Sequence, residues 1–428
     1  MIKRLRIHNF KTFLNFEMDF TRRHLVIGKN NSGKTNLCYA LRFLGNSVWL
    51  DYDKAEIPGG LGNFCHRGFD SAVAEFQCHC ELPFEGETLG FQYDLQIKIP
   101  RGKDLSSSSP GDLKPRTHLE RLIFVRGSLP RAASLPDSES GPDWAVVLLA
   151  SDGKTVQLFD ERHLGEGTTP TRLYVVSPEE DRAPDDASML SKLYASDTNP
   201  RAMLFREFLG TIVYHCFSPA LMRHGWTLHQ HAAVPTSLGP HGHDLPLLLF
   251  RLKNEDEPSY RRVLGFLSEI DPDVDSINFY VTPDNKPIPY VMLKNRGQAT
   301  WDSLSDGTLC VLALATTFVQ ADRQEEDRGR PLGLTLLEEP ENSLYRGLFH
   351  SLWEEFSALA PMSQFVFTSH SPYFIDLFDR DLENISRFKK DGGVTTAKSL
   401  AEYRDLIERH RDEYDLSLGE QHYKEVFE

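Results

Sequence analysis

The sequence predicts an α/β fold in which a mixed central sheet is interrupted by a long insertion. Three observations carry that prediction. An apolar strand, a glycine-rich loop and a helix with one apolar face follow one another over residues 24–50. A second helix, strand, helix, strand run returns between residues 307 and 369. Between these two, residues 72–99 alternate apolar and polar positions around turn residues, as an antiparallel pair does.

In chain order, residues 2–10 (IKRLRIHNF) and 24–27 (HLVI) read as short strands joined by a polar bend. The helix after the glycine loop places Leu37, Leu41 and Leu44 at spacings of four and three, so one face is buried. Residues 72–82 and 90–99 flank PFEGETLG as the predicted antiparallel subdomain. From 101 to 143 the chain turns rich in Ser, Pro, Gly and Asp, which predicts flexible surface loops around one candidate strand, LERLIFVRG. Residues 144–176 read as strands, and 187–212 and 245–269 carry helical spacing. An apolar helix is expected at 307–320, then the buried strand of PLGLTLLEEP, a helix at 343–360 and the strand of QFVFTSHSP. The return to strand, helix, strand divides the chain into a core of 1–99 and 295–428 and an inserted β/helical region of 100–294. No internal repeat and no sustained heptad is present, so no long coiled coil is expected.

Composition excludes several classes. A length of 428 residues suits two or three domains. Lys plus Arg is 47 and Asp plus Glu is 62, a formal charge of 47 − 62 = −15, which rules out a uniformly basic DNA-coating protein. Contact with nucleic acid would need a local patch, for which Lys3, Arg4, Arg6 and Lys11 are the candidates. Hydrophobic residues at 40% and charged residues at 25% argue against global disorder. Six scattered cysteines make no disulfide scaffold and fit a reducing cytoplasm. MIKRLRIHNF lacks the apolar run of a signal peptide, and no stretch nears the ~18 apolar residues of a membrane span. A cytoplasmic protein with no membrane partner is expected.

Four motifs carry the chemistry. Gly28-Lys29-Asn30-Asn31-Ser32-Gly33-Lys34-Thr35, followed by Asn36, fits G-x-x-x-x-G-K-[ST] between a strand and a helix. Its glycines let backbone N–H groups turn inward around phosphates, Lys34 reaches the terminal phosphates of ATP, and Thr35 offers a hydroxyl to Mg²⁺. Leu334-Thr335-Leu336-Leu337-Glu338-Glu339-Pro340-Glu341 delivers adjacent carboxylates at a strand end; Glu338 is assigned to the metal and Glu339 to the attacking water. Thr368-Ser369-His370-Ser371-Pro372 ends another apolar strand with an imidazole suited to sensing a γ-phosphate. Ser305-Asp306-Gly307, just before an apolar helix, is a second phosphate-seeking arrangement, which one nucleotide does not need within one subunit.

The order GKNNSGKT, LSDGT, LLEEPEN and TSHSP resembles the ABC-type ATPase heads of the RecF/SMC/OLD group, in particular the AAA-family ATPases of anti-phage systems without a fused nuclease. The opening IHNFKTF and the segment FCHRGFDSAVAEF are similar to that group as well. The resemblance implies an ABC-type head with a mixed central sheet, an antiparallel β subdomain and an inserted helical lobe. It also implies head-to-tail homodimers or larger assemblies, in which Ser305 and Gly307 of one copy close over ATP held by Lys34 and Thr35 of another. It makes Glu338 the Walker B acid, Glu339 the catalytic glutamate, His370 the switch histidine and Asn342-Ser343 the D-loop. The function implied is an ATPase sensor or scaffold controlling a separate effector, most plausibly a nuclease; the alternatives are a DNA-repair ATPase binding duplex DNA directly and an ATP-dependent interaction protein with little turnover. Three departures from the pattern stand out: Glu338 replaces the commoner Asp, Leu344-Tyr345 replaces His-Pro, and the stretch Tyr214 to Ser218 holds no Q-loop glutamine.

Two weaker clusters read as ordinary surface or core. His224, His229, His231, His241 and His243 lie in one Gly/Pro-bearing stretch with Asp244, and a solvated or partner-facing loop outweighs a zinc site. Cys78 and Cys80 flank His79 on a strand and share one face.

Overall fold

The computed structural model describes residues 1–52, 61–69, 71–100, 114–126, 145–152, 156–161, 171–176, 187–193, 198–225, 227, 235–283, 286–294, 297–326 and 332–427. Much of the expected loop region 101–143 lies outside them. The chain divides into two compact units, residues 1–212 with 383–402 and residues 213–382 with 403–428.

The first unit contains β1 (Ile2–Phe10), β2 (Phe13–Asp19), β3 (Arg23–Ile27), α1 (Lys34–Ser47), β4 (Val73–Phe84), β5 (Glu87–Lys98), β6 (Arg116–Arg126), β7 (Ala145–Ser151), β8 (Val156–Asp160), β9 (Thr171–Val176) and α2 (Pro200–Gly210). Eight of the strands form one antiparallel sheet in the order β2-β1-β4-β5-β6-β7-β8-β9. The expected hairpin is present and tighter than its flanking residues suggest: Glu85 and Gly86 alone make the turn, both at positive φ (50° and 85°), as a two-residue connection matched to strand twist requires. The bend expected between the first two strands contains a strand of its own, β2, where Phe13, Phe16 and Met18 are buried and Asn15, Glu17 and Asp19 exposed. Leu37, Leu41 and Leu44 of α1 are fully buried, as their spacing predicts, and Phe43 packs on Phe64 and Phe76 at ring separations of 5.2 and 5.6 Å. Near the C-terminal end of the chain, β16 (Ile385–Asp391) and β17 (Val394–Ser399) return to this unit; β16 runs parallel to β3 and antiparallel to β17.

The second unit opens with β10 (Ile212–His215), α3 (Pro219–His224), α4 (Leu245–Glu255) and α5 (Glu257–Ile270). A three-stranded antiparallel sheet follows, β11 (Val274–Val281), β12 (Pro287–Leu293) and β13 (Gly297–Thr300), which leads into the long α6 (Asp306–Glu326). Then come β14 (Leu334–Glu338), α7 (Arg346–Ala358), β15 (Gln364–Ser369), α8 (Pro372–Asp376), α9 (Arg404–Tyr414) and α10 (Leu418–Tyr423). β14 and β15 pair in parallel with Glu338 opposite Thr368, so the ends of both motif strands lie side by side. Every residue of β15 is buried, which matches its continuous apolar run. Helix α6 is buried along most of its length because Phe318 stacks on Phe356 (4.9 Å) and on Phe365 (4.6 Å). At the end of this unit Gly419 presses on the Pro372 carbonyl, where an added Cβ would stand 2.0 Å away. Among the described residues no helix is long and apolar enough to cross a membrane.

Candidate functional site

In the first unit, the loop between β3 and α1 places Gly28, Asn31 and Gly33 at φ of 152°, 66° and 107°. Left-handed backbone at these positions turns successive N–H groups to one side. Gly33 admits no side chain: a Cβ there would lie 2.5 Å from Thr395 Oγ1 and 3.1 Å from Thr12 Oγ1. Thr395 Oγ1 is 2.8 Å from both the Ser32 carbonyl and the Thr12 hydroxyl, and Asn36 Nδ2 donates to Thr12 at 2.8 Å. The loop is thus clamped from outside by the β1–β2 turn and β17. Lys390 Nζ reaches Asn31 Oδ1 at 3.2 Å.

Within the clamp, Lys34 is only 7% exposed, and its ammonium donates to the carbonyls of Gly28 (2.6 Å) and Lys29 (3.2 Å). Helix α1 begins here with no side-chain cap and no acidic residue in its first turn. Its terminal N–H groups therefore suit an outside acceptor. Ser32 Oγ is buried without a hydrogen-bond partner among the described residues. A buried unpaired hydroxyl beside an uncapped helix end and a buried ammonium fits a phosphate group. Lys29, Asn30 and Thr35 belong to the same loop and helix start.

In the second unit, β14 ends at Glu338, whose Oε2 accepts from the Tyr214 hydroxyl at 2.6 Å. Glu339 is held in left-handed backbone (φ 47°), with its N–H donating to the Thr368 carbonyl at 2.9 Å. Both its carboxylate oxygens are occupied: Oε1 faces His370 Nδ1 at 2.9 Å and Oε2 accepts from Asn342 Nδ2 at 2.8 Å. The sequence-predicted trio Glu338, Glu339 and His370 is therefore brought together. Glu341, to which the motif assigned no role, turns inward to the Ser369 hydroxyl. Burial pushes its carboxyl up to about 7.

The Ser305-Asp306-Gly307 segment lies in this unit as well. Ser305 Oγ accepts from the Thr308 N–H at 3.1 Å and caps α6. Arg223 fixes the segment from α3, donating to the Leu304 carbonyl (2.8 Å) and to Asp306 Oδ1 (2.7 Å). A Cβ on Gly307 would stand 3.0 Å from the Ser343 carbonyl, so Gly307 lies against the turn that follows the acidic run of its own chain. Tyr214, Arg223, Thr395 and Glu341 were not readable as site residues, because each reaches its partner across a fold contact that no local pattern encodes.

The candidate basic edge is neutralised. Lys3 pairs with Glu81 at 3.0 Å, Arg4 with Asp19 at 2.6 Å, and Arg6 with Glu17 at 3.1 Å. Burial lowers the Lys11 pKa, and its ammonium lies 5.3 Å from the Tyr39 ring centre. His229 and His231 fall outside the described residues; His241 Nδ1 faces the Cys216 carbonyl at 2.9 Å, and Asp244 accepts from the Gly239 N–H at 2.9 Å. Among the described residues no group of three or more His, Cys, Asp or Glu is placed to hold a metal ion.

Residues 1–92 match the family described as AAA ATPase domain, and residues 204–376 match the family described as AAA domain, putative AbiEii toxin, Type IV TA system. Both stretches of the chain are thus similar to AAA-family ATPase domains; the first contains the Gly28–Thr35 loop and the second contains Ser305–Gly307, Glu338–Glu341 and His370. Over 45 residues, 10% of this chain, it is 49% identical to an ATP/GTP phosphatase of Helicobacter pylori, of which the stretch covers 12%. Solved structures similar to it include an SMC head bound to the C-terminal winged-helix domain of ScpA (13% identity, 94% of this chain and 99% of that one, TM-score 0.48). An SMC head domain from Thermotoga maritima is similar at 12% identity over 93% of this chain and 98% of that one, with a TM-score of 0.40.

Proposed function

We propose that this ATPase-family chain binds Mg·ATP on the Gly28–Thr35 loop, hydrolyses it with Glu339, and uses ATP-driven assembly of two or more copies to control a separate effector in anti-phage defence. The observation that carries the reading is the clamped phosphate loop of the first unit, with its orphaned Ser32 hydroxyl; the second unit, taken by itself, holds a carboxylate on both oxygens through His370 and Asn342.

The chemistry follows from the residues. The α1 N-terminus, the loop N–H groups and Lys34 bind and orient the phosphates. Thr35 and Glu338 are the residues to hold Mg²⁺, which when bound neutralises phosphate charge. Tyr214 donates to Oε2 of Glu338 and so orients that carboxylate. Glu339 orients the attacking water and takes its proton. His370 donates through Nδ1 to Glu339 and so holds in place the carboxylate that handles the water.

Assembly through a neighbour's Ser305 and Gly307 rests on the resemblance, and placing 100–294 as an insertion rests on the return to strand, helix, strand after it. The defence role takes support from the AbiEii-like match, and six free thiols fit a reducing cytoplasm. The rival reading, direct duplex binding by the N-terminal cations, is disfavoured by the ion pairs that occupy Lys3, Arg4 and Arg6. A phosphate-release assay with light scattering tests the proposal. Lys34→Ala is expected to lose ATP binding, while Glu339→Gln is expected to bind ATP, stop turnover and accumulate as a dimer or larger species. A Glu339→Gln protein that stays monomeric with ATP would remove the composite-site reading.

A further inference from the structure

Glu341 is the one acid of the EEPE run outside the roles given above. Its Oε1 is hydrogen-bonded to the Ser369 hydroxyl. Ser369 Oγ in turn accepts from the Ser371 N–H at 2.9 Å, so the hydroxyl proton of Ser369 is the one directed at Glu341. The Ser369 hydroxyl thus links Glu341 to the Ser371 N–H, and His370 is the residue spanned by the Ser369–Ser371 bond. The turn that carries Glu341 is itself rigid: Asn342 N–H donates to the Glu339 carbonyl at 3.1 Å and Leu344 N–H to the Glu341 carbonyl at 3.0 Å.

We propose that Glu341 is a positioning residue for hydrolysis, holding Ser369 so that His370 remains bonded to Glu339. This rests on the hydrolytic reading above. Two contacts join the side chains of the turn to the 369–371 segment, and they are unequal. The His370–Glu339 bond sits half in water, with the imidazole 49% exposed, and water competes for it. The Glu341–Ser369 bond is better shielded, because Ser369 is fully buried and Glu341 Oε2 has no exposure to water.

Glu341 Oε2 is buried with no partner among the described residues. A bare anionic oxygen there is costly, so the proton belongs on that atom. The elevation of the carboxyl to about 7 points the same way.

Three variants test the assignment: Glu341→Ala, Glu341→Gln and Ser369→Ala. Glutamine copies the neutral acid, because its amide oxygen accepts from Ser369 without carrying charge. Glu341→Ala and Ser369→Ala are expected to keep the affinity for a fluorescent ATP analogue within about twofold and to lower kcat by about 10- to 100-fold. Glu341→Gln is expected to keep kcat within about threefold. Histidine-selective ¹⁵N NMR of the nucleotide-free protein, with His370→Ala for assignment, reads placement without turnover. Wild type and Glu341→Gln should show His370 protonated at Nδ1, and Glu341→Ala and Ser369→Ala a mixture of tautomers. Should Glu341→Ala fail to fold, Ser369→Ala carries the test. The proposal is overturned by wild-type kcat in both truncations, by a Gln variant as impaired as the Ala variant, or by a His370 tautomer indifferent to Glu341 and Ser369. Absence of phosphate release from the wild type would refute the hydrolytic reading instead, and the NMR result would then decide the placement of His370 alone.

Discussion

Substituting Gly33 by Ala offers a quantitative check on the clamp around the phosphate loop. At φ of 107° an alanine is strained by about 1–3 kcal/mol before any contact is considered. Its Cβ would also meet Thr395 Oγ1 at 2.5 Å and Cγ2 at 3.0 Å, so Thr395 must move. Moving it breaks the 2.8 Å contacts of its hydroxyl with Ser32 and Thr12, at about 1 kcal/mol each. Together these give a destabilisation of about 3–5 kcal/mol. Thr395→Ala alone costs about 1–2 kcal/mol but deletes both clashing atoms. The double variant should therefore be more stable than the sum of the singles predicts, by about 1–2 kcal/mol. Urea unfolding followed by circular dichroism and fluorescence measures the cycle. Additivity within about 0.5 kcal/mol would show that Thr395 does not constrain Gly33 and refute the account of the loop.

Further outcomes concern acid and assembly. His24 and His215 are fully buried, and burial lowers them to about 3 and about 4. Each lies below the unfolded value near 6.5, so the unfolded chain binds the extra proton first and stability is lost as pH falls from about 6.5 towards those values. Glu341, raised to about 7, has the opposite sign: the stability of its neutral form is complete below about 4.5 and is lost as pH rises towards 7. Glu120 and Glu161, raised by burial in the unit that contains His24, act with the same sign as Glu341, so the histidine is read by its removal: His24→Gln should flatten the fall of the thermal midpoint below about pH 6.5 relative to wild type. Arg223→Ala removes the ties to Leu304 and Asp306 and is expected to weaken ATP-dependent association about tenfold while leaving nucleotide binding by the monomer intact; analytical ultracentrifugation with Glu339→Gln as background reads both. An unchanged association constant would detach the signature segment from assembly.

What could be read from the sequence was what is written locally. The phosphate loop, the acidic end of β14 and the imidazole after β15 each follow an apolar strand, and a strand delivers its next residues to one edge of a sheet. Strand β2 was passed over as a bend although its alternation is regular, because Asn15, Glu17 and Asp19 give the segment a polar look. β16 and β17 carry too few apolar residues for periodicity to register. The supports of the site lay beyond reach for another reason. Thr395 stands against Gly33 and Tyr214 against Glu338 across 362 and 124 positions of chain, and which strand lies beside which is decided by burial of whole faces rather than by any short pattern.

The backbone of Glu339 has an implication for how this protein tolerates change. A glutamate there occupies a conformation in which asparagine or glycine rests more comfortably, a difference of about 1 kcal/mol. Glycine would relieve that strain but give up the bonds to His370 and Asn342, each worth about 1 kcal/mol, so the acid is kept in an uncomfortable backbone by the company its side chain keeps. Loss of either neighbour would leave the strain without its compensation and turn this corner into the weak point of the unit.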